Sequence, residues 1–336
     1  MMKLKLCFIL FLLIGFFGNS QIIRGVVLDA KTKAPVETAA IYFNNTTFGV
    51  ITNNKGEFTI EYTKAIQSPL IISFLGYKKQ LITNYRKNNR LTILLEENNE
   101  ALGEVTVNAN DGLTRKEKLR IFRREFLGSS RFGKSCKILN EDALIINYNK
   151  KESVLTAYSK VPLRITNKAL QYNITYDLNS FILHFMPPNP NESIFNTKSV
   201  GFRGNSYYKN FKVFNKDKAI RNRRKAYAGS RLEFMRALYT QKFKEHKYEI
   251  YFKNTKVDPW ESIDIEPKTN TEIKRVSLSQ PLNIIFNNWE KSRITFIIPT
   301  ISLDFYGNYT DVDKVLFSGV MGDQRVGELL PFDYGL

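Results

Sequence analysis

Between Ile22 and Leu95, apolar side chains recur at every second position in short runs divided by turn residues. A period of two sends alternate side chains to opposite faces of an extended chain, so that one face can be buried. Seven such runs predict strands at Ile22–Leu28, Ala39–Phe43, Val50–Thr52, Glu57–Tyr62, Leu70–Phe74, Gln80–Thr83 and Leu91–Leu95. The polar stretch from Asp29 to Pro35 and the run Asn53-Asn54-Lys55-Gly56 supply turns, the latter ending on a residue that tolerates positive φ. Short strands at this spacing predict a β-sandwich.

Three strings within this segment carry a resemblance. They are Gly25-Val26-Val27-Leu28-Asp29 with Thr32 to Pro35 and Ala39-Ala40-Ile41; Gly49 to Phe58; and Leu70-Ile71-Ile72-Ser73-Phe74-Leu75-Gly76-Tyr77. Together they resemble the carboxypeptidase regulatory-like domain common in exported Bacteroidota proteins. The resemblance implies a transthyretin-like β-sandwich over residues 21–97 that carries no catalytic residues itself. Asn53 stands where the family usually has Asp, and Asn serves a turn equally well. The segment Leu102-Gly103-Glu104-Val105-Thr106-Val107 is similar to those that follow this sandwich in TonB-dependent receptors. No amphipathic ten-residue strands recur after it, so no receptor barrel is expected.

Residues 1–20 read as an address. Lys3 and Lys5 precede an apolar run from Leu6 to Phe17, then Gly18-Asn19-Ser20, the layout of a secretory signal peptide cleaved beside Gln21. The run is short for a membrane span. Cleavage would remove Lys3, Lys5 and Cys7, leaving Cys136 without an internal disulfide partner. An exported protein of the periplasm or outer-membrane surface is the expectation, with no transmembrane span after residue 20.

Residues 98–112 read as a linker and residues 113–336 as an α+β domain with a largely antiparallel sheet. Leu119, Phe122 and Phe126 give Thr114–Phe126 a helical stripe, capped by Asp111 or Thr114 and closed by Gly128. Leu170–Leu178 and Phe181–Met186 read as a hairpin turning at Asn179-Ser180. A second helix is expected over Asp217–Lys242, with Gly229 marking a break or a close approach. Further strands are expected at Ala143–Tyr148, Val154–Tyr158, His246–Phe252, Asn283–Asn287, Ile294–Pro299, Ile301–Tyr306 and Lys314–Phe317, with edge structure near Val200–Phe202 and Tyr207–Phe211. Pro187 to Asn191 is a rigid loop. The runs Pro162–Leu170, Tyr172–Leu178, Arg223–Arg231 and Arg325–Pro331 look like the C-terminal part of exported Bacteroidota proteins of this architecture, a resemblance that implies no mechanism.

No complete catalytic constellation emerges. His246-Lys247-Tyr248-Glu249 matches the first ligand pair of metallocarboxypeptidases, but no histidine follows it, and a catalytic zinc needs three protein ligands. In a strand, positions i and i+3 would also point to opposite faces. Asp258, Glu261, Asp264 and Glu266 near Trp260 read as a solvated acidic loop, with a glycosidase pair of carboxylates as the alternative. The Gly319, Gly322, Gly327 spacing is no phosphate loop, since no helix follows. No metal, cofactor or catalytic residue is expected.

Charge is more informative. The chain carries fifty Lys and Arg against thirty-two Asp and Glu, and residues 203–247 hold fourteen against three. Aromatic residues interleave with these cations. In an exported chain such a segment points to an anionic glycan, a lipid headgroup or a protein rather than to nucleic acid. Arg221, Arg223, Arg224 and Lys225 are the expected contacts. A non-catalytic envelope protein with a docking sandwich is the first reading. An envelope glycan hydrolase and an assembly factor for outer-membrane receptors are the alternatives.

Overall fold

The computed structural model describes residues 20–63, 66–88, 90–98, 112–186, 196–213, 215–269 and 271–336. The signal peptide at 1–20 (apart from Ser20), the linker at 98–112 (apart from residues 98 and 112) and the loop from Pro187 to Asn191 lie outside the described residues.

The first seven strands are β1 (Ser20–Asp29), β2 (Ala40–Phe43), β3 (Gly49–Ile51), β4 (Glu57–Thr63), β5 (Leu70–Ser73), β6 (Gln80–Ile82) and β7 (Arg90–Leu95). They form two sheets, β4-β1-β7 and β3-β2-β5-β6, the sandwich expected from the alternation. β4 shows the cause directly: Phe58, Ile60 and Tyr62 are buried while Glu57, Thr59, Glu61 and Thr63 are exposed. The turn before it, which carries the chain from one sheet to the other, ends at Gly56, with φ +72°, and Asn53 Oδ1 accepts from the Lys55 and Glu57 amides. The Asp29 carboxylate organises the first loop, accepting from the Lys31 and Thr32 amides, the Thr32 hydroxyl and the Tyr77 hydroxyl.

The central sheet uses β8 (Cys136–Ile138), β9 (Leu144–Asn149), β10 (Val154–Ser159), β11 (Leu163–Asn167), β12 (Tyr172–Phe185) and β13 (Thr197–Asn210). Their order is β8-β11-β12-β10-β9, with β13 along the other edge of β12. The expected hairpin at Asn179-Ser180 is absent, and one strand runs through. Its pairing with β13 shifts register between Leu178 and Ser180. Before the shift Tyr172, Ile174, Tyr176 and Leu178 are buried; after it Phe181, Leu183 and Phe185 are. A bulge resets the alternation by one residue, and in sequence that imitates a two-residue turn. The helix Arg115–Leu127 covers the inner face of this sheet, capped by Thr114, which forms a capping box with Glu117. Phe122 meets Phe181 edge-on at 4.9 Å, and Phe126 meets Tyr176 at 5.1 Å. Gly128, with φ +100°, ends this helix, and a short helix Arg131–Lys134 follows.

The expected long helix over Asp217–Lys242 is two helices, Lys216–Tyr227 and Arg231–Thr240. The break falls at Ala228-Gly229-Ser230. Gly229 has φ +72°, and a Cβ there would lie 2.8 Å from Glu290 Oε2. Ser230 then caps the second helix, its hydroxyl accepting from the Glu233 amide. This break separates two cores within residues 113–336, where the sequence predicts one domain. The second helix packs Phe234, Met235, Ala237 and Leu238 into a third core. That core lies among β14 (Tyr248–Phe252), β15 (Thr255–Lys256), β16 (Ile263–Pro267), β17 (Ile273–Leu278), β18 (Leu282–Phe286), β19 (Glu290–Phe296), β20 (Thr300–Asp304) and β21 (Val315–Gly319). These strands form the sheets β15-β14-β18-β19-β21 and β16-β17-β20. The strand expected from His246 begins at Tyr248, and His246 sits in the preceding turn. β8, β11, β15, β16 and β17 have no counterpart among the expected strands; β8 and β15 span three and two residues, and the alternation of β11 and β16 runs over five residues or fewer.

The sandwich is fastened to the rest of the chain. Asn45 donates its amide to the Ser206 carbonyl at 2.7 Å, and Tyr208 donates to Thr46 at 3.0 Å. Thr47 binds the Asp333 carboxylate through both its amide and its hydroxyl. Lys79 pairs with Asp177. Tyr306, from the third unit, is buried in the core of the sandwich.

Candidate anion-binding surface

The helix Lys216–Tyr227 carries the four residues expected to make contact. Asn215 caps it, accepting from the Lys218 amide at 2.9 Å. Ala219, Asn222 and Ala226 form its buried stripe. Asn222 fixes the helix against the central unit, donating to the Ala169 carbonyl at 2.8 Å and accepting from Arg131 at 2.7 Å. Asp217 lies in the first turn and Arg224 and Lys225 in the last, the arrangement that the helix dipole favours.

This packing divides the four residues. Arg221, Arg224 and Lys225 are exposed, together with Lys216 and Lys218. None of these five joins an ion pair among the described residues, and Asp217 is the one acidic residue on the helix. Arg223 points inward. It donates to the carbonyls of Leu170 at 2.9 Å and Gln171 at 3.2 Å and to Asn210 Oδ1 at 2.8 Å. Its guanidinium lies 3.7 Å from the centre of the Tyr172 ring, and burial lowers its pKa. Arg223, half-buried, thus ties the helix to β12 and the loop before it rather than standing free in water like its neighbours.

Four other cations of the basic segment are engaged elsewhere. Arg203 pairs with Asp313 at 2.8 Å, and Lys242 pairs with Glu245 at 2.9 Å. Arg231 donates to Gln324. Arg236 is buried and serves backbone carbonyls. A count of lysines and arginines cannot separate these fates, because each depends on a contact distant in sequence. Arg131, exposed and joined to the helix through Asn222, borders the surface and lies far from the expected segment. No local pattern marks it.

The residues of the other candidate chemistries take the following places. His246 Nδ1 lies 3.2 Å from Glu233 Oε1, while Glu249 pairs with Lys256 instead. Glu233 also accepts from the Gly229 amide at 2.8 Å and from the Tyr248 hydroxyl at 3.3 Å, so it locks the helix break. Among the described residues, no group of three His, Cys, Asp or Glu is placed to hold a metal. Asp258, Glu261, Asp264 and Glu266 are exposed; Asp258 caps the turn Pro259–Glu261, and Trp260 stacks on Phe243 at 5.5 Å. Cys136 donates to the Phe132 carbonyl, and burial pushes its thiol up to about 12, which disfavours the nucleophilic thiolate. No helix of the described residues is long and apolar enough to cross a membrane.

No curated protein matches the chain. Residues 23–107 match the family model of the CarboxypepD_reg-like domain, so the sandwich of β1 to β7 is a carboxypeptidase regulatory-like domain, a non-catalytic β-sandwich module.

Proposed function

We propose that the protein is an exported, non-catalytic component of the cell envelope, in the periplasm or at the outer membrane. It binds the anionic groups of envelope glycans or lipid headgroups through the solvent face of the helix Lys216–Tyr227. The observation that carries this reading is the row of Lys216, Lys218, Arg221, Arg224 and Lys225, all exposed and none in an ion pair among the described residues. Cations left in water attract polyanions over a Debye length, so the binding is sensitive to salt. The carboxypeptidase regulatory-like sandwich holds this unit in place through the Asn45–Ser206, Thr47–Asp333 and Lys79–Asp177 contacts.

The test is co-sedimentation with vesicles of neutral lipid alone or with anionic lipid added, and in parallel with an acidic polysaccharide. Binding in the lipid arm, the glycan arm or both, weakened by high salt and by Arg221→Glu with Arg224→Glu and Lys225→Glu, supports the reading and names the source of the anion. Binding that survives the triple substitution, or none in either arm, overturns it. Release of processed protein beginning near Gln21 tests export.

A further inference from the structure

A cleft of about 630 Å³ opens where the central unit meets the third one. The end of the helix Arg115–Leu127 forms one wall, the start of β13 a second, and the end of β21 with the following turn a third. Junctions between packed units and volumes of a few hundred Å³ are where small-molecule sites occur.

The charges of the cleft are unevenly matched. Glu125, buried in the wall, accepts from the Thr197 hydroxyl at 2.9 Å and from Arg124 at 2.7 Å, so its charge is already compensated. Lys198 and Arg325 also line the cleft, and Asp323 is the other acidic group there, exposed at the rim. Arg325 is half-buried. Its guanidinium donates to the carbonyls of Gly322 at 2.8 Å and Gln324 at 3.2 Å, and among the described residues it joins no ion pair. Burial lowers its pKa, while the charges of Glu125, Asp323 and Glu328 act in the opposite direction without reaching ion-pair distance. A guanidinium withdrawn from water and bonded to neutral acceptors has capacity for an anion, which it takes up in short, strong hydrogen bonds. Ser129, Ser199 and Ser318, all exposed, line the same cleft. Gly319 and Gly322, whose spacing matches no phosphate loop, pack closely at its third wall, where a Cβ would meet the backbone of Lys291 and of Ser318.

We propose that this cleft binds a small saccharide bearing one anionic group, a carboxylate or a phosphate. Arg325 and Lys198 hold the anion, and Ser129, Ser199 and Ser318 meet the sugar hydroxyls. The site does not depend on the helical surface described above, which contributes no residue to it.

The experiment is calorimetric titration of the purified protein with glucuronate, glucose 6-phosphate and neutral glucose. Lys198→Glu and Ser318→Trp change exposed side chains, and thermal melting confirms that both variants fold. The expected result is binding of one or both acidic sugars, weakened by about tenfold or more in both variants and in neutral glucose, a factor typical of a lost charge-assisted hydrogen bond. The sugar that binds identifies the anion as carboxylate or phosphate. Equal binding of glucose, full affinity in the two variants, or no binding of either acidic sugar overturns the proposal. So does loss of binding in the Arg221, Arg224 and Lys225 triple variant, which would assign it to the helix. Retention there, with vesicle and polysaccharide binding lost, separates the two sites.

Discussion

The guanidinium of Arg236 donates to the carbonyl of Phe332 at 2.6 Å. The same group donates to Tyr334 at 2.7 Å and to Tyr306 at 3.2 Å. Arg236 stands on the helix of the third unit, Tyr306 reaches the core of the sandwich, and Tyr334 packs against the central core. One buried cation therefore joins the C-terminal segment to all three units, without a carboxylate partner among the described residues.

Arg236→Ala leaves three carbonyls without this donor and opens a void at the junction. Loss of several hydrogen bonds from a charged donor is expected to lower stability by about 3 kcal/mol. Urea unfolding measures this. A loss below about 1 kcal/mol, the scale of an ordinary surface substitution, would show that the junction does not depend on Arg236.

Gly229→Ala forces a Cβ onto a residue with φ +72°, 2.9 Å from the Phe286 ring and 2.8 Å from Glu290 Oε2. Positive φ and the close approach act together, so a destabilisation of about 1–3 kcal/mol is expected. Thermal melting reads it. An unchanged melting temperature would mean that the break between the two helices tolerates a side chain.

Arg223→Ala and Arg224→Ala should behave oppositely. The first removes contacts to Leu170, Gln171 and Asn210 and the stacking on Tyr172, and should lower stability by about 1–2 kcal/mol. The second removes an exposed cation and should stay within about 0.5 kcal/mol in stability, while weakening retention on an anionic matrix. Comparable losses of stability in both variants would contradict the inward orientation of Arg223.

Asp304 is 2% exposed, and burial raises its carboxyl from 3.8 to about 6. Its folded pKa lies above its unfolded one, so the folded state binds the proton more tightly. Its contribution to stability is fully present below about pH 4 and is lost as pH rises through about 6, a change on the order of 3 kcal/mol. Asp304→Asn should therefore flatten the melting curve between pH 4 and pH 6. A variant that keeps the wild-type slope over that interval would remove Asp304 as its source.

The sandwich was legible because its information is local. In β4, alternate residues are apolar, and Asn53 and Gly56 set the turn. Thr114 and Gly128 likewise mark the ends of the helix Arg115–Leu127 through residues one turn apart. β12 was not legible as one strand, since a one-residue phase shift at Asn179-Ser180 reads the same whether the chain turns or bulges. Its partner β13, paired across both halves, decides the matter.

The candidate surface divides in the same way. Sequence alone determined that residues 203–247 are cationic and that the alternating runs between Ile22 and Leu95 form a sandwich, because charge and alternation belong to the residues themselves. Only the tertiary structure decided that Arg223 and Arg236 turn inward while Arg221, Arg224 and Lys225 remain in water. The reason is physical: a guanidinium leaves water only where several acceptors converge, and here Leu170, Gln171, Phe332 and Tyr334 are brought to the arginines by folding across fifty or more residues.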